Sequence, residues 1–264
     1  MSIYAKESDM LKGASIISDL TDGARYKYKL YLNGKTYIYK LSKQHTSGEY
    51  TKEHVAELLF KRICDILQIP CVNILISDIS LLSEVMWEEP ISNFIELSEE
   101  FSHSFHMSNL QTFDVSTLLN KENNRYWREV LDMLFVDILC GNSDRHPGNF
   151  AYNACKGFYP LFDNGSSLCA YIKEADIKSY LKDTTRFNSL VLTKSKPVLR
   201  DNARITHYDL LQTLKKQFPE EFLDFQYRLH NLNTSDLYEG IPITEDRKEL
   251  LSKFLRVRKE WFYE

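Results

Sequence analysis

One run of the sequence reads Cys140-Gly-Asn-Ser-Asp-Arg-His-Pro-Gly-Asn149, and the run Tyr159-Pro-Leu-Phe-Asp-Asn-Gly165 follows it closely. The first run places Asp144 five positions before Asn149, among residues that favour turns. In the second run, Asp163 follows a short apolar stretch. A carboxylate, a carboxamide and a second carboxylate therefore follow one another at the ends of two short segments.

These residue types suit phosphoryl transfer, which asks a protein mainly to position groups and to balance charge. Asp144 is a candidate to orient an incoming hydroxyl and take its proton. Asn149 and Asp163 are candidate ligands of Mg²⁺, which prefers hard oxygen atoms. Pro147-Gly148 predicts a turn that bends Asn149 back toward Asp144. The sequence thus predicts a phosphotransferase that holds Mg²⁺ on a nucleoside triphosphate.

The same pattern has a plainer interpretation, in which Asp144 and Asn149 only cap a loop after a buried helix. The Asp-x-x-x-x-Asn spacing alone is too short to decide. The long apolar run at 124–140, which predicts a core helix, and the strand-like run before Asp163 favour the phosphotransferase. Asp137, inside the predicted helix, is expected to brace the loop by hydrogen bonds rather than to react.

His146 lies inside the first run and is a candidate contact for a phosphate, although a role in stabilising the loop is favoured. Together with Cys140 and Cys155 it could also supply zinc ligands. No paired Cys-x-x-Cys spacing supports that site.

A nucleotide clamp is predicted near the start of the chain. A lysine on a strand, paired with a glutamate on the next helix, holds the phosphates in kinase-like sites. Lys40 ends a predicted strand, and Glu57 lies on the predicted helix at 52–67. Glu53, one turn earlier, is the alternative partner, and a solvated lysine is the alternative role for Lys40.

The phosphate-binding loop is the weakest part of the prediction. Gly23, Ala24 and Arg25 are its candidates, and the segment 12–15 is a rival. Neither segment matches a G-x-G-x-x-G or a Walker pattern. The sequence is therefore unlike P-loop NTPases, and unlike ordinary protein kinases in this loop.

The periodicities predict an α+β, bilobal fold with a small β-rich lobe (1–92) and a larger helical lobe (93–264). A hairpin is expected at 24–42 because Asn33-Gly34 is a strong turn signal. Further elements follow from the spacing of apolar residues. They are strands at 72–76, 79–86, 150–152 and 158–161 and helices at 52–67, 124–140, 207–217, 219–231 and 244–262. The segment 94–120 is ambiguous and is interpreted as the crossing between the lobes.

Bulk properties narrow the class of protein. The chain has 264 residues and a formal net charge of −4, so no electrostatic reason points to nucleic acid or to a membrane surface. Five irregularly spaced cysteines do not indicate a disulfide framework. No leader or apolar run of membrane-spanning length is evident. A cytoplasmic protein is expected, and a secreted effector without a classical signal peptide stays open.

The two runs resemble the HipA-like kinase family, whose kinase fold is distantly similar to lipid and protein kinases. The likeness extends to Gly23-Ala-Arg-Tyr-Lys27, to Lys40 and to the segment from Glu57 to Pro70. It implies a serine/threonine kinase dependent on ATP and Mg²⁺, with Asp144 as the catalytic aspartate and Asn149 and Asp163 as metal ligands. The chain is similar to the compact form, since it is too short for the extra N-terminal subdomain of longer members.

The resemblance also bears on partners and regulation. It implies a protein substrate with a serine or threonine acceptor and leaves open an antitoxin partner, because some members are toxins. The family's loop serine is replaced, with Asp22 and Leu20 standing one and three places before the glycine. Thr21, Ser18 and Ser15 are left as candidates for autophosphorylation.

Two other functions stay open. One is a small-molecule phosphotransferase of the aminoglycoside-kinase type, for which the acidic stretch 84–100 could form an acceptor cleft. The other is a nucleotide-binding pseudokinase that serves as a binding module.

Overall fold

The computed structural model describes residues 4–20, 26–86, 113–122, 124–153, 156–199 and 205–264. Within these ranges one antiparallel sheet lies near the start of the chain, and most of the helices follow it. The α+β class predicted from the sequence is confirmed. The predicted boundary at 92/93 lies outside the described residues, as does most of the ambiguous segment.

The strands fall into one larger sheet and two short pairs. In chain order they are β1 (Ser15–Asp19), β2 (Lys27–Leu32), β3 (Lys35–Leu41), β4 (Ile74–Ile76), β5 (Ser80–Glu84), β6 (Phe113–Asp114), β7 (Tyr152–Asn153), β8 (Gly157–Phe158) and β9 (Pro197–Val198). The large sheet has the order β1-β2-β3-β5-β4 with antiparallel neighbours. The strand β6 pairs with β9 in parallel, and β7 pairs with β8 in antiparallel fashion.

The predicted hairpin is formed by β2 and β3. Asn33 and Gly34 both have positive φ angles, 51° and 82°, as a two-residue turn that matches the strand twist requires. The register pairs Lys27 with Lys40, and β5 lies on the other side of β3. Lys40 is thereby held on a central strand.

The helices among the described residues are α1 (Glu7–Met10), α2 (Glu53–Ile66), α3 (Trp127–Cys140), α4 (Ile177–Lys182), α5 (Thr184–Val191), α6 (His207–Gln217), α7 (Pro219–His230) and α8 (Glu245–Trp261). Five of them were predicted, and their ends agree to within three residues. Pro219 opens α7, and the side chain of Thr244 caps α8. The strands β1, β6 and β9 and the helices α1, α4 and α5 were not predicted.

Helix α3 runs through the core, as its apolar composition predicts. Ten of its fourteen residues are buried, including the polar Asp137. Helices α2 and α8 and the aromatic residues of α7 belong to the same hydrophobic core. The loop that follows α3 therefore starts from a rigid support. Among the described residues, no helix is both long enough and apolar enough to cross a bilayer.

Candidate active site

The loop after α3 begins with a left-handed turn. Gly141 has a φ of 67°, and a Cβ atom at this position would lie 2.7 Å from Cζ of Phe254 and 3.2 Å from Cζ of Arg258. Both the backbone conformation and the close approach require glycine. The chain is thus directed away from the helix axis and into the segment that carries Asp144.

The turn predicted around Pro147-Gly148 brings the two candidate residues together. A short 3-10 turn spans Pro147–Asn149, and the side-chain Nδ2 of Asn149 donates to the carbonyl of Asp144 at 2.9 Å. This bond orients the carboxamide. It leaves Oδ1 of Asn149 as the side-chain atom suited to a cation.

Arg145 is fully buried and holds the loop from behind. Its Nε and Nη2 atoms donate to the carboxylate of Asp137 at 2.8 and 2.9 Å. Its Nη1 atom donates to the carbonyls of Asn149 and Phe162 at 2.5 and 3.0 Å. The hydrogen-bonded bracing predicted for Asp137 is confirmed, whereas its partner Arg145 was not predicted.

Asp163 lies in the loop after β8, close to the segment that leads into β4 of the large sheet. Leu161 pairs with the segment before β4, because its N–H donates to the carbonyl of Pro70 at 2.9 Å and its carbonyl accepts from Val72 at 3.0 Å. Two residues later, Asp163 has a φ of 54°, a conformation that aspartate tolerates better than most residues. The carboxylate is three-quarters buried.

Lys40 lies between Asp163 and a glutamate of helix α2. Its Nζ atom lies 3.0 Å from Oδ1 of Asp163 and 4.0 Å from Oε1 of Glu57. Glu53 instead accepts hydrogen bonds from the backbone N–H of Lys43 and from Thr51. Of the two glutamates that the sequence offers, Glu57 is therefore the one whose carboxylate faces Lys40, and its role in a nucleotide clamp stays a prediction.

Glu57 is buried, and burial raises the pKa of its carboxyl group, an effect that the positive charge of Lys40 opposes. Its Oε2 atom accepts a hydrogen bond from Nδ2 of Asn164 at 3.3 Å. The Oδ1 atom of Asn164 in turn accepts from Arg145 at 2.5 Å. One chain of polar contacts thus runs from Asp137 through Arg145, Asn164 and Glu57 to Lys40 and Asp163.

Of the remaining candidate residues, His146 is described by the structure and the phosphate-loop candidates are not. Nδ1 of His146 accepts from the N–H of Gly148 at 3.1 Å, which supports the role in stabilising the loop. Burial lowers the pKa of the His146 imidazole, because desolvation disfavours its charged form. Gly23, Ala24, Arg25 and Cys155 lie outside the described residues. In the part of the chain that the structure describes, no group of three histidine, cysteine or acidic side chains could hold a metal ion.

Asp144 also has a partner that was not predicted from the sequence. Its Oδ1 atom forms an ion pair with Nζ of Lys196. Lys196 is separated from Asp144 by 52 residues, so no local pattern could reveal the pair.

We compared the sequence and the structure with those of known proteins. No protein-family model matches the sequence. The serine/threonine-protein kinase CtkA of Helicobacter pylori is 28% identical over a match of 137 residues, gaps included, that covers 48% of this chain and 42% of that protein. The crystal structure of the proinflammatory kinase CtkA of Helicobacter pylori matches with a TM-score of 0.72 and 18% identity, over 94% of this chain and 92% of that one.

This chain has the fold of CtkA. The bilobal, kinase-like fold predicted from the sequence is thereby confirmed, with the large sheet in the small lobe and α3 in the large lobe. The sequence match spans less than half the length of CtkA.

The residues brought together fit a magnesium–nucleotide complex by their chemistry. Proteins commonly hold Mg²⁺ through one or two carboxylates and the phosphates of a substrate. Asp163 offers a carboxylate and Asn149 a carboxamide oxygen, both hard donors. Lys40 offers a buried ammonium group beside Asp163.

Proposed function

We propose that the chain is a protein serine/threonine kinase that uses ATP and Mg²⁺. The observation that carries the proposal is the contact of Lys40 with both Asp163 and Glu57, close to a loop in which Asn149 is tied to Asp144. The shared fold and the partial sequence match with CtkA support it. The protein partner proposed is one that bears a serine or threonine acceptor.

Each residue has a role that its contacts permit. Asp144 orients the acceptor hydroxyl and takes its proton. Asn149 and Asp163 would hold Mg²⁺, which when bound neutralises charge on the phosphates. Lys40 would hold the α- and β-phosphates, and Glu57 keeps its ammonium group in place. Gly23, Ala24 and Arg25 stay predicted contacts of the phosphates.

In this proposal the main contribution of the protein is to hold the site residues in place before the substrate binds. Arg145 fixes the carbonyls on either side of the site, one in the loop of Asn149 and one next to Asp163. Because both carbonyls bind the same guanidinium group, we expect Arg145 to limit how far the backbones that carry the two predicted metal ligands can move apart. This arrangement lowers the reorganisation that substrate binding requires.

The test compares phosphate incorporation by the wild type with that by Asp144→Asn and Asp163→Asn. Each protein is incubated with radioactive ATP, Mg²⁺ and a cell extract, and phosphosites are identified by mass spectrometry. Both variants should lose at least about 100-fold in rate, as expected when a catalytic or charge-stabilising group is removed. Asp176→Asn, at an exposed aspartate, is the matched control and should retain activity.

The outcomes separate the proposal from its alternatives. Unchanged incorporation in Asp163→Asn would contradict the site assignment. ATP turnover that labels added aminoglycosides but no protein would indicate a small-molecule phosphotransferase. Binding of Mg-ATP without turnover would indicate a pseudokinase. An antitoxin partner and a cytoplasmic location stay predictions, and a pull-down from the native host would test the first.

A further inference from the structure

Lys196 approaches the proposed catalytic aspartate from a part of the chain that is distant in sequence. Its Nζ atom pairs with Oδ1 of Asp144, and both side chains are partly buried, with 19% and 37% of their surfaces exposed. An ion pair shielded to this degree is screened less by solvent and salt than one on the open surface. The contact therefore belongs to the site rather than to the protein surface.

The segment that carries Lys196 is fixed on both sides. Directly after it, β9 pairs with β6, and the N–H of Val115 donates to the carbonyl of Val198 at 2.9 Å. Directly before it, the N–H of the buried Ser195 donates to the carbonyl of Ile205 at 3.0 Å. Lys196 is thus presented by ordered backbone, as a group that acts on a substrate should be.

The other nearby basic side chains are engaged elsewhere. The guanidinium group of Arg145 is taken up by Asp137, Asn164 and two backbone carbonyls. Nδ1 of His146 accepts the N–H of Gly148. Lys40 contacts Asp163 and Glu57. Among the described residues, the basic side chain that forms an ion pair with Asp144 is Lys196.

We infer that Lys196 binds the γ-phosphate, the group that the proposed reaction transfers. The inference rests on the proposed function. If Asp144 orients the acceptor hydroxyl, that oxygen lies in line with the γ-phosphorus, and a cation in contact with Asp144 lies beside the phosphoryl oxygens. An ammonium group has several N–H donors and no acceptor, so Lys196 can contact Asp144 and a phosphate oxygen together.

The step is balanced without a change in Lys196. The acceptor oxygen forms a bond to the γ-phosphorus as the bond to the β–γ bridging oxygen breaks, and ADP leaves with that electron pair. The acceptor proton passes to the carboxylate of Asp144. Lys196 remains protonated and offsets charge on the transferred group.

This role predicts a difference between two nucleotides. ADP lacks the γ-phosphate, so loss of Lys196 should leave its affinity within about twofold of the wild type. The affinity for a non-hydrolysable ATP analogue should fall by about tenfold to 100-fold, the range for a charge-assisted hydrogen bond. A lysine that only supported the fold would change both affinities together or neither.

The experiment is calorimetric titration of Lys196→Met with Mg-ADP and with Mg-AMPPNP. Lys194→Met is the matched control, because Lys194 lies two positions earlier on the same segment and is exposed. Lys196→Arg, which keeps the charge, should recover part of the affinity for the analogue. Circular dichroism melting curves establish that each variant is folded.

The results test the role of Lys196 separately from the proposed kinase function. Selective loss of AMPPNP affinity in Lys196→Met, with Lys194→Met unchanged, supports the role of Lys196. Equal changes for both nucleotides, or none, overturn it while the proposed function stands. A wild type that binds neither nucleotide overturns the proposed function and this inference with it.

Discussion

The ammonium group of Lys40 lies 3.0 Å from the carboxylate of Asp163, and this contact connects β3, the central strand of the large sheet, to the loop after β8. The lysine is almost fully buried, so its charge depends on nearby carboxylates. Glu57 is the second carboxylate, at 4.0 Å. Removing any one of these groups should therefore affect both stability and binding, and pairs of substitutions can separate the two effects.

Lys40→Met should lower the free energy of unfolding by about 1–3 kcal/mol, because it removes the ammonium group that lies 4.0 Å from the buried carboxylate of Glu57. Adding Glu57→Gln should restore most of that stability, since glutamine keeps an acceptor for Asn164 and carries no charge. Nucleotide binding should be lost in both proteins. Urea unfolding and calorimetric titration measure the two effects separately.

Lys35→Met is the matched control for this pair, because Lys35 lies on the same strand but is mostly exposed, in an ion pair with Glu84. Its substitution should cost no more than about 1 kcal/mol. If the double variant Lys40→Met/Glu57→Gln were no more stable than Lys40→Met, the charge of the buried Glu57 would not be the cause of the lost stability.

Arg145→Lys tests the polar chain behind the site. Lysine keeps the charge but cannot reproduce the planar fork that reaches Asp137, Asn164 and the carbonyls of Asn149 and Phe162. The free energy of unfolding should fall by about 2–4 kcal/mol because buried groups lose partners. Denaturant unfolding measures it, with the exposed Arg186→Lys as control, expected within about 0.5 kcal/mol of the wild type. Equal effects in the two variants would show that Arg145 is not a special anchor.

Gly141→Ala and Gly240→Ala form a second matched pair. Both glycines have left-handed backbones, with φ angles of 67° and 68°. A Cβ atom at Gly240 would meet nothing within 4 Å, whereas at Gly141 it would collide with Phe254. Gly240→Ala should cost about 1 kcal/mol through backbone strain alone. Gly141→Ala should cost about 1–3 kcal/mol more, through displacement of packed core side chains. Thermal or urea unfolding of the two variants gives the difference, and equal costs would contradict the steric account.

Much of the fold follows from local signals in the sequence. Asn33-Gly34 predicts the hairpin, Pro219 and Thr244 predict two helix starts, and the apolar run before Gly141 predicts the core helix. The strand β1 was missed because most of its residues are exposed, so no alternation of apolar and polar side chains marks it. Helices α1, α4 and α5 were missed because four to eight residues are too few to show a helical period of apolar side chains.

The site was predictable where its spacing is local. The turn between Asp144 and Asn149 is predicted by the Pro147-Gly148 dipeptide that lies between them. The contacts of Asn164 with Glu57 and of Lys196 with Asp144 join residues that are 107 and 52 positions apart. Contacts of this kind depend on how the elements pack, and nothing in the neighbouring sequence encodes them.

His54 should make the stability of the protein depend on pH. Burial lowers the pKa of its imidazole from 6.5 to about 3, and the charge of Lys52 acts in the same direction. As the pH falls below 6.5, the unfolded chain binds a proton that the folded protein excludes, so the free energy of unfolding decreases. Between pH 7 and pH 5 this group alone should remove about 2 kcal/mol.

His54→Asn removes the titrating group and keeps an acceptor for the hydroxyl of Ser42, which lies 2.8 Å from Nδ1. Urea unfolding of the wild type and the variant at pH 7 and pH 5 measures the effect. The variant should lose about 2 kcal/mol less than the wild type over this interval. His230→Asn, at an exposed histidine, controls for the removal of a histidine as such. An equal loss in wild type and His54→Asn would show that the buried imidazole does not set the acid sensitivity of the fold.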